Sequence, residues 1–220
     1  MIEIKHEQES IFDFIIIEDD YILNYEQIAR DDQEKEYTPK EVKEAIFNYC
    51  NKYIHSGTVI DVGCGDGYVI SKINADFKYA VDISFVNLKR IPKQWNLMKI
   101  RENAECMHFD SSVADHVICT DVFEHVLDEK KLAGELKRIL KPGGKLYLAT
   151  PYKQDLSVYD SPQYKRKYKY VHLRSVDDRM VLNFFGDMKL MEVHLIKKGM
   201  KYQKIKPYPI KLYIFEKCAE

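Results

Sequence analysis

The chain has 220 residues, of which 34 are lysine or arginine and 35 are aspartate or glutamate, so its formal net charge is −1. Hydrophobic residues make up 45% of the sequence, which is enough for the core of one domain. The near-zero net charge excludes a protein that coats polyanions with its whole surface, but it does not exclude local charged patches.

Charge is distributed unevenly along the chain. Residues 1–38 contain twelve acidic and three basic residues, whereas residues 153–220 contain eight acidic and fifteen basic ones. The stretch between them is nearly neutral, with fifteen acidic and sixteen basic residues. We therefore expect the two ends to have different roles, and we expect them to meet over one active site.

Neither a membrane span nor a secretory signal is predicted. The longest apolar run near the start is Phe14–Ile17, far short of the roughly 20 residues that a span needs, and no basic region precedes it. The cysteines form no C-x-x-C pair and show no zinc-site spacing; they are Cys50, Cys64, Cys106, Cys119 and Cys218. These features predict a reduced, cytosolic (cytoplasmic) protein.

Helical and strand-like segments alternate from Thr38 onward. Thr38 is predicted to cap a first helix, with Pro39 at its first position. Further helices are predicted at 68–73, 85–91 and 129–140, and strands at 58–62, 79–83, 96–101, 116–120 and 145–150. This order favours a parallel sheet that is covered on both faces and binds its ligand beyond the carboxyl ends of the strands.

The last third of the sequence has a different pattern. Residues 153–171 show no clear periodicity, and a helix is predicted from a capping Ser175 to Phe185. Strands are predicted at 191–196 and 210–215, and the turn at 207–209 between them favours an antiparallel finish.

A glycine-rich loop follows the first predicted strand. Gly63, Gly65 and Gly67 alternate between a strand and a helix, where a backbone without Cβ atoms can pass close to a ligand. The spacing differs from the G-x-G-x-x-G of pyrophosphate sites, and no Lys-Ser/Thr pair of a P-loop follows. Asp82, at the end of the second strand, can accept hydrogen bonds from both hydroxyls of a ribose. S-adenosylmethionine has a ribose and no pyrophosphate, so it fits this pattern.

With these motifs the sequence resembles the class I S-adenosylmethionine-dependent methyltransferases over about residues 39–218. The matching stretches are Asp61–Gly67, Asp82, Asn103–Glu105, Asp110–Cys119 (with Ala114 in place of a usual aromatic residue) and Leu140–Leu146. The resemblance implies an α/β, Rossmann-like fold with helices on both faces of a seven-stranded, mostly parallel sheet whose last strand is antiparallel. It implies that the cofactor is bound by Asp61, Gly63, Cys64, Gly65, Gly67, Asp82, Ile83, Asn103, Ala104, Glu105, Cys119 and Thr120.

Methyl transfer needs alignment of the acceptor, and a base where the acceptor must lose a proton. His125 lies just beyond the fourth strand and is a candidate base, with His172 and Tyr152 as further catalytic candidates near the acceptor. The alternative is that Glu124 and His125 only begin a helix and stabilise the loop.

A metal site is a further hypothesis. Asp121, Glu124 and His125 supply two carboxylates and an imidazole, and His172 could join them to bind Mg²⁺ or Mn²⁺. The stretch resembles the E-x-x-E-H…H metal set of small-RNA 3′-terminal 2′-O-methyltransferases, with Asp121 in place of the first glutamate. A related stretch is common in ubiquinone-type O-methyltransferases, so the pattern does not choose the substrate.

Two segments are candidates for lids. Residues 163–174 interleave basic and aromatic side chains, and the insertion 151–174 is predicted to cover the substrate; the alternatives are a solvated loop or an RNA-binding segment. Residues 1–38 are predicted to be an acidic extension that forms a second lid, or else a solvated segment. The methyltransferase domain itself is assigned to residues 39–220.

We therefore predict an S-adenosylmethionine-dependent enzyme that methylates an oxygen or nitrogen of a small polar metabolite, such as a sugar, a sugar nucleotide or a secondary-metabolite intermediate. The acceptor is phosphorylated or unphosphorylated, and a homodimer is left open as the assembly. The alternative is an RNA methyltransferase, with metal-assisted 2′-O-methylation through residues 163–174. A third hypothesis is a regulatory protein that binds the cofactor without catalysis.

Overall fold

The structure is a computed structural model that describes residues 11–15, 19–35, 38–160, 162, 167–196 and 209–219. Its helices are α1 (Asp20–Lys35), α2 (Lys40–Asn51), α3 (Tyr68–Lys72), α4 (Phe85–Arg90), α5 (Glu129–Ile139) and α6 (Asp178–Phe185), with a 3-10 helix at Leu156–Asp160. Its strands are β1 (Ile11–Asp13), β2 (Thr58–Val62), β3 (Phe77–Asp82), β4 (Leu97–Arg101), β5 (Ala114–Thr120), β6 (Leu140–Pro151), β7 (Lys189–Ile196) and β8 (Ile210–Glu216).

The strands form one sheet in the order β1-β4-β3-β2-β5-β6-β8-β7. β8 pairs antiparallel with both β6 and β7, and the other pairings are parallel. The predicted mostly parallel sheet with an antiparallel last strand is therefore confirmed. The predicted number of seven strands was wrong for the described residues, because β1 adds an eighth strand beside β4. Its three residues are too few to show a period in the sequence.

Helices cover both faces of the sheet, as predicted. Ile60 and Val117 point into a core with α5 and α6, while Val59 and Ile118 point to the opposite face, into a core with α2, α3 and α4. All four side chains are fully buried. Strands buried on both faces read as continuous apolar runs, which is the pattern that the sequence shows at β2 and β5. Among the described residues, no helix is both long and apolar enough to cross a membrane.

Both predicted helix caps were wrong. α2 is preceded by Pro39 at the N-cap, and the Thr38 hydroxyl instead donates to Asp121 Oδ2 at 3.2 Å. α6 is capped by Asp177, whose side chain accepts a hydrogen bond from Met180 N at 2.9 Å, so Ser175 is not the cap. No side chain caps α2, and at α6 a carboxylate caps the helix in place of the predicted hydroxyl. The predicted turn at 207–209 lies largely outside the described residues.

The acidic start and the basic end of the chain do meet. Asp31 on α1 pairs with Lys167 at 2.8 Å, and Asp20 pairs with Lys169 at 2.7 Å. The side-chain amide of Asn24 binds the backbone of residues 169–170. Its Nδ2 donates to the Tyr170 carbonyl at 2.7 Å, and its Oδ1 accepts from Lys169 N at 2.7 Å. We call these contacts between α1 and residues 167–170 the clasp. It places α1 over the carboxyl ends of the strands.

Candidate active site

A cavity of about 370 Å³ lies where β2, β3 and β5 end. α1 and residues 168–172 form its roof. The predicted cofactor residues that line it are Asp61, Gly63, Cys64, Gly65, Asp82, Ile83, Asn103, Ala104 and Thr120. We call the part lined by residues 61–65, 82–83 and 103–104 the cofactor half. The part lined by Tyr21, Tyr25, His125, Tyr159 and His172 is the acceptor half.

The glycine loop follows the floor of the cofactor half. Gly63 has φ +70°, and a Cβ there would lie 2.1 Å from Val122 Cγ2, so no other residue fits without moving that side chain. A Cβ on Gly65, which also has a positive φ, would meet no heavy atom within 4 Å. The backbone at Gly65 is therefore open to a ligand in the cavity.

Two buried carboxylates flank this loop. Asp82 Oδ2 accepts from Gly65 N at 2.8 Å, and Oδ1 accepts from Ser84 N at 2.8 Å. Burial raises the pKa of Asp82. Burial and the nearby Asp82 and Asp66 raise the pKa of Asp61 to about 8, and its Oδ1 has no hydrogen-bond partner among the described residues. A cationic or hydroxyl-bearing ligand would supply what these carboxylates lack.

Three predicted cofactor residues do not line the cavity. Gly67 is the N-cap of α3, and a Cβ there would meet Ile91 at 2.7 Å. Glu105 Oε1 accepts from Leu127 N at 2.7 Å, so it fixes the neighbouring loop. Cys119 is fully buried in the sheet core. Their sequence neighbours reach the cavity, but these three residues lie in or behind its walls.

His125 lines the acceptor half. Its Nδ1 is 3.1 Å from the Tyr25 hydroxyl and 3.3 Å from the Val171 carbonyl oxygen. Burial lowers the pKa of His125 to about 4, so the ring is neutral at neutral pH. When Nδ1 carries the proton and donates it to Val171, Nε2 keeps a lone pair. The geometry therefore presents an uncharged imidazole beside the cavity.

Glu124 and His172 lie next to His125. Glu124 is fully buried, its Oε2 accepts from Thr150 Oγ1 at 3.1 Å, and its Oε1 has no hydrogen-bond partner among the described residues. Burial and Asp121 raise the pKa of Glu124, which favours the protonated carboxyl. The His172 ring packs edge-on to the His125 ring, with centroids 4.5 Å apart, and its Nδ1 contacts Gln154 Oε1.

The structure brings together three of the four predicted metal ligands. One ligand atom from each of Glu124, His125 and His172 lies within 4.8 Å of the others, in a group that could hold an ion. Asp121 is not part of this group. Its backbone has φ +55° at the end of β5, and its Oδ2 accepts the Thr38 hydroxyl. The turn thus directs Asp121 toward α2.

The structure does not bring Tyr152 into the cavity. Its hydroxyl donates to Asp178 Oδ2 at 2.9 Å, and the Lys211 ammonium lies over its ring, 4.3 Å from the centroid. The reason is the bridge between Tyr152 and Val176, which extends the sheet and directs the side chain toward α6.

Sequence reasoning missed several residues that shape the site. Tyr21 and Tyr25 of α1 pack against one another with ring centroids 4.8 Å apart, and the Tyr21 hydroxyl donates to the His125 carbonyl at 3.3 Å. Arg174 donates from Nη1 to the carbonyls of Phe123 at 2.9 Å and Val126 at 2.7 Å, which fixes the turn that carries His125. Two tyrosines at helical spacing were a signal, but the sequence did not show what they face.

Part of the chain matches a known family model, and curated relatives match at low identity. Residues 60–148 match a family model described as a methyltransferase domain. The chain is 27% identical over 115 residues to the ubiquinone/menaquinone biosynthesis C-methyltransferase of Wigglesworthia glossinidia brevipalpis, a match that covers 47% of this chain and 46% of that protein. It is 26% identical over 99 residues to the ubiquinone biosynthesis O-methyltransferase of Coxiella burnetii, covering 42% of each. The chain thus spans less than half the length of these curated relatives.

Solved structures share the fold over nearly the whole chain. A chain of the complex described as that between the Haloferax volcanii Trm112 methyltransferase activator and "the putative methyltransferase" superposes with a TM-score of 0.73 and 16% identity, covering 91% of this chain and 98% of that one. A Thermotoga maritima S-adenosylmethionine-dependent methyltransferase, described as a possible histamine N-methyltransferase, gives a TM-score of 0.67 and 16% identity, covering 90% and 99%. At this identity the likeness concerns the fold.

Proposed function

We propose that this chain, in which residues 60–148 match a methyltransferase-domain model, is a class I S-adenosylmethionine-dependent methyltransferase that transfers a methyl group from S-adenosylmethionine to an oxygen or nitrogen of a small polar metabolite. One observation carries the proposal. A single roofed cavity has the glycine loop and Asp82 in one half and a neutral His125 in the other. Cofactor and acceptor would meet inside it.

The residues of the cofactor half fit S-adenosylmethionine. Asp82 would accept hydrogen bonds from the ribose hydroxyls, and Asn103 and Ala104 would contact the adenine. Asp61 Oδ1, buried without a hydrogen-bond partner among the described residues, would accept from the ammonium group of the cofactor. Gly65 leaves room for the ligand to lie against the backbone. The cofactor supplies an activated methyl group on a sulfonium, so the protein supplies alignment and proton transfer.

In this proposal His125 is the base. A neutral imidazole can take the proton that an acceptor hydroxyl or amine releases as its new bond to the methyl carbon forms. Tyr25 orients the ring through Nδ1, and the hydrogen bond to the Val171 carbonyl favours the tautomer with the lone pair on Nε2. His172, which lines the same half, would help to position the acceptor.

The size of the cavity and the pairing of the nearby bases favour a small acceptor. A volume of about 370 Å³ is at the low end for ligand pockets, which hold roughly 300–1,000 Å³, and it has to receive the cofactor as well. Lys167 and Lys169 pair with Asp31 and Asp20 in the clasp. In the described part of residues 163–174, both lysine charges are thus paired with carboxylates of α1, which makes them less available to the phosphates of an RNA. The RNA alternative is therefore not favoured.

A divalent cation is the second hypothesis for the acceptor half. The buried Glu124 Oε1 and the two imidazoles are suitable donors for Mn²⁺ or Mg²⁺, which would acidify an acceptor hydroxyl. The same burial that raises the pKa of Glu124 favours a proton there, and the comparisons do not support a metal. We predict that activity survives EDTA. Loss of activity that Mn²⁺ restores would identify the three residues as a metal centre.

The proposal is tested by offering the protein labelled S-adenosylmethionine with a panel of small hydroxyl- and amine-bearing metabolites, and in parallel with total RNA. We expect label in a small molecule and none in RNA. The Asp82→Ala variant should transfer no label. Label in RNA that falls when Lys167 and Lys169 are replaced by alanine would contradict the assignment of a small-molecule acceptor.

A reducing, cytosolic compartment is also part of the proposal, because all five cysteines are free thiols. The homodimer stays a prediction.

A further inference from the structure

A buried carboxylate of α1 lies directly behind the proposed ribose site. Glu26 is 5% exposed and does not line the cavity. Its Oε2 accepts from Ser84 Oγ at 3.0 Å and from Val86 N at 3.2 Å, and its Oε1 accepts from Phe85 N at 2.7 Å. These donors belong to the turn that follows Asp82 and to the first residues of α4, whose amide groups have no partner within the helix.

The turn that Glu26 binds also fixes Asp82. Ser84 N donates to Asp82 Oδ1 at 2.8 Å, and Asn87 Nδ2 donates to the same oxygen at 3.3 Å. Ser84 Oγ, which donates to Glu26, accepts from Asn87 N at 3.2 Å. Two short hydrogen-bonded links thus lead from the α1 carboxylate to the carboxylate that would accept the ribose hydroxyls.

Arg101 fixes Glu26 from the other side. Its Nη2 donates to Glu26 Oε1 at 3.2 Å, and its Nε donates to the Ile83 carbonyl at 3.2 Å. The Arg101 side chain is 6% exposed and that of Glu26 is 7% exposed. If α1 moved away, the turn would lose its acceptor and a buried guanidinium would lose a carboxylate partner, which is costly in a protein interior.

The residue before Glu26 points into the acceptor half. Tyr25 contacts His125 Nδ1, so of two consecutive positions on one helix, one contacts the acceptor half and the other contacts the turn behind the cofactor half. A displacement of α1 would disturb both contacts at once.

From this arrangement we propose that Glu26 is a positioning residue that couples cofactor binding to the docking of α1 over the cavity. The proposal rests on the proposed ribose role of Asp82. Ligand on Asp82 stabilises the turn, the stabilised turn binds Glu26, and Glu26 fixes α1 with Tyr25 against His125. By linkage, docking of α1 increases the affinity for the cofactor by a certain factor, and bound cofactor increases the equilibrium constant for docking of α1 by the same factor.

The test uses the full chain with S-adenosylhomocysteine as the probe, and the matched control is Glu41→Gln, the same chemical change at an exposed position on α2. By calorimetry, Glu26→Gln should weaken binding roughly tenfold, since it removes a charged acceptor of several hydrogen bonds, while Glu41→Gln should leave binding unchanged. At saturating ligand, hydrogen exchange of the α1 amides should slow in the wild type and slow clearly less in Glu26→Gln.

Ser84→Ala provides a second variant that leaves the Glu26–Arg101 pair in place. It should weaken binding severalfold and reduce the protection of α1 in the same way. If Glu26→Gln and Ser84→Ala bind the probe as tightly as Glu41→Gln, or if α1 is protected to the same extent in every variant, the coupling does not exist and Glu26 is only structural. Unchanged binding in Asp82→Ala would instead overturn the proposed ribose site, so the two failures are distinguishable.

Discussion

The two halves of the cavity are built in different ways. In the cofactor half, the glycine loop directly follows β2 and Asp82 is the last residue of β3, so these residues are near neighbours in the chain. In the acceptor half, Tyr25 and His125 are 100 positions apart, and Val171 lies 46 positions beyond His125. The first half is a property of two adjacent strand ends. The second exists only where α1, the turn after β5 and residues 167–172 come together.

The two halves also differ in the ionisable side chains that they contain. The cofactor half contains the carboxylates Asp61 and Asp82, which suit a ligand with an ammonium group and ribose hydroxyls. The acceptor half contains a neutral His125 and a Glu124 whose raised pKa favours the uncharged form. In the proposed reaction, the cofactor half receives a charged ligand and the acceptor half accepts a proton. Variants in the two halves should therefore have separable effects.

The largest expected effect is in the cofactor half. Asp82→Ala removes an acceptor of charge-assisted hydrogen bonds and should weaken binding of S-adenosylhomocysteine by about 1,000-fold, because each such bond contributes about 1.5–3 kcal/mol. Calorimetry measures this directly. Asp110→Ala, at an exposed carboxylate, is the control and should bind normally. An affinity for Asp82→Ala within a factor of three of the wild type would remove the basis of the comparison.

The next effect separates the halves. His125→Ala should lower kcat about 100-fold through loss of the base and leave cofactor affinity within a factor of two. Steady-state kinetics with the acceptor found in the label assay, together with calorimetry, gives both numbers. His55→Ala, at an exposed histidine, should change neither. If His125→Ala keeps full kcat, His125 only stabilises the loop.

A smaller effect is expected at the clasp. The double variant of Lys167→Ala and Lys169→Ala removes two solvent-accessible ion pairs, which contribute little individually, and should raise the acceptor KM about fivefold with kcat nearly unchanged. High salt should reproduce the effect in the wild type. As a control, replacing Lys130 and Lys131 on α5 with alanine removes the same number of positive charges and should leave the acceptor KM unchanged. An unchanged KM in the clasp variant would mean that the roof does not control acceptor binding.

The smallest expected effect is the number of protons that the protein releases when the ligand binds. With its pKa raised to about 8, the Asp61 carboxyl is mostly protonated at pH 7, and the ammonium group of the ligand favours the ionised form. Binding of S-adenosylhomocysteine at pH 7 should therefore release up to about one proton, and the release should fade as pH rises above about 8. Calorimetry in buffers of different ionisation enthalpy measures it. Asp61→Asn should release none; equal release in both proteins would assign the proton to another group.

The sequence predicted the sheet and the position of the glycine loop correctly, because β2, β3 and β5 are apolar runs that end in the loop and in acidic or polar residues. It could not predict the caps of α2 and α6, since Thr38 found its partner at Asp121 and Asp177 was nearer to the start of α6. It also assigned Tyr152 to the site, because proximity to the end of a strand does not show which way a side chain points.

The sequence by itself therefore determined where the glycine loop and Asp82 lie, at the ends of β2 and β3, because backbone conformation and local spacing are short-range properties of the chain. Only the tertiary structure decided what faces the acceptor. The clasp, the Tyr25–His125 contact and the buried Glu26–Arg101 pair connect segments far apart in the sequence. Their partners are chosen by packing and by charge complementarity between the acidic α1 and the basic end of the chain, and no local pattern records that choice.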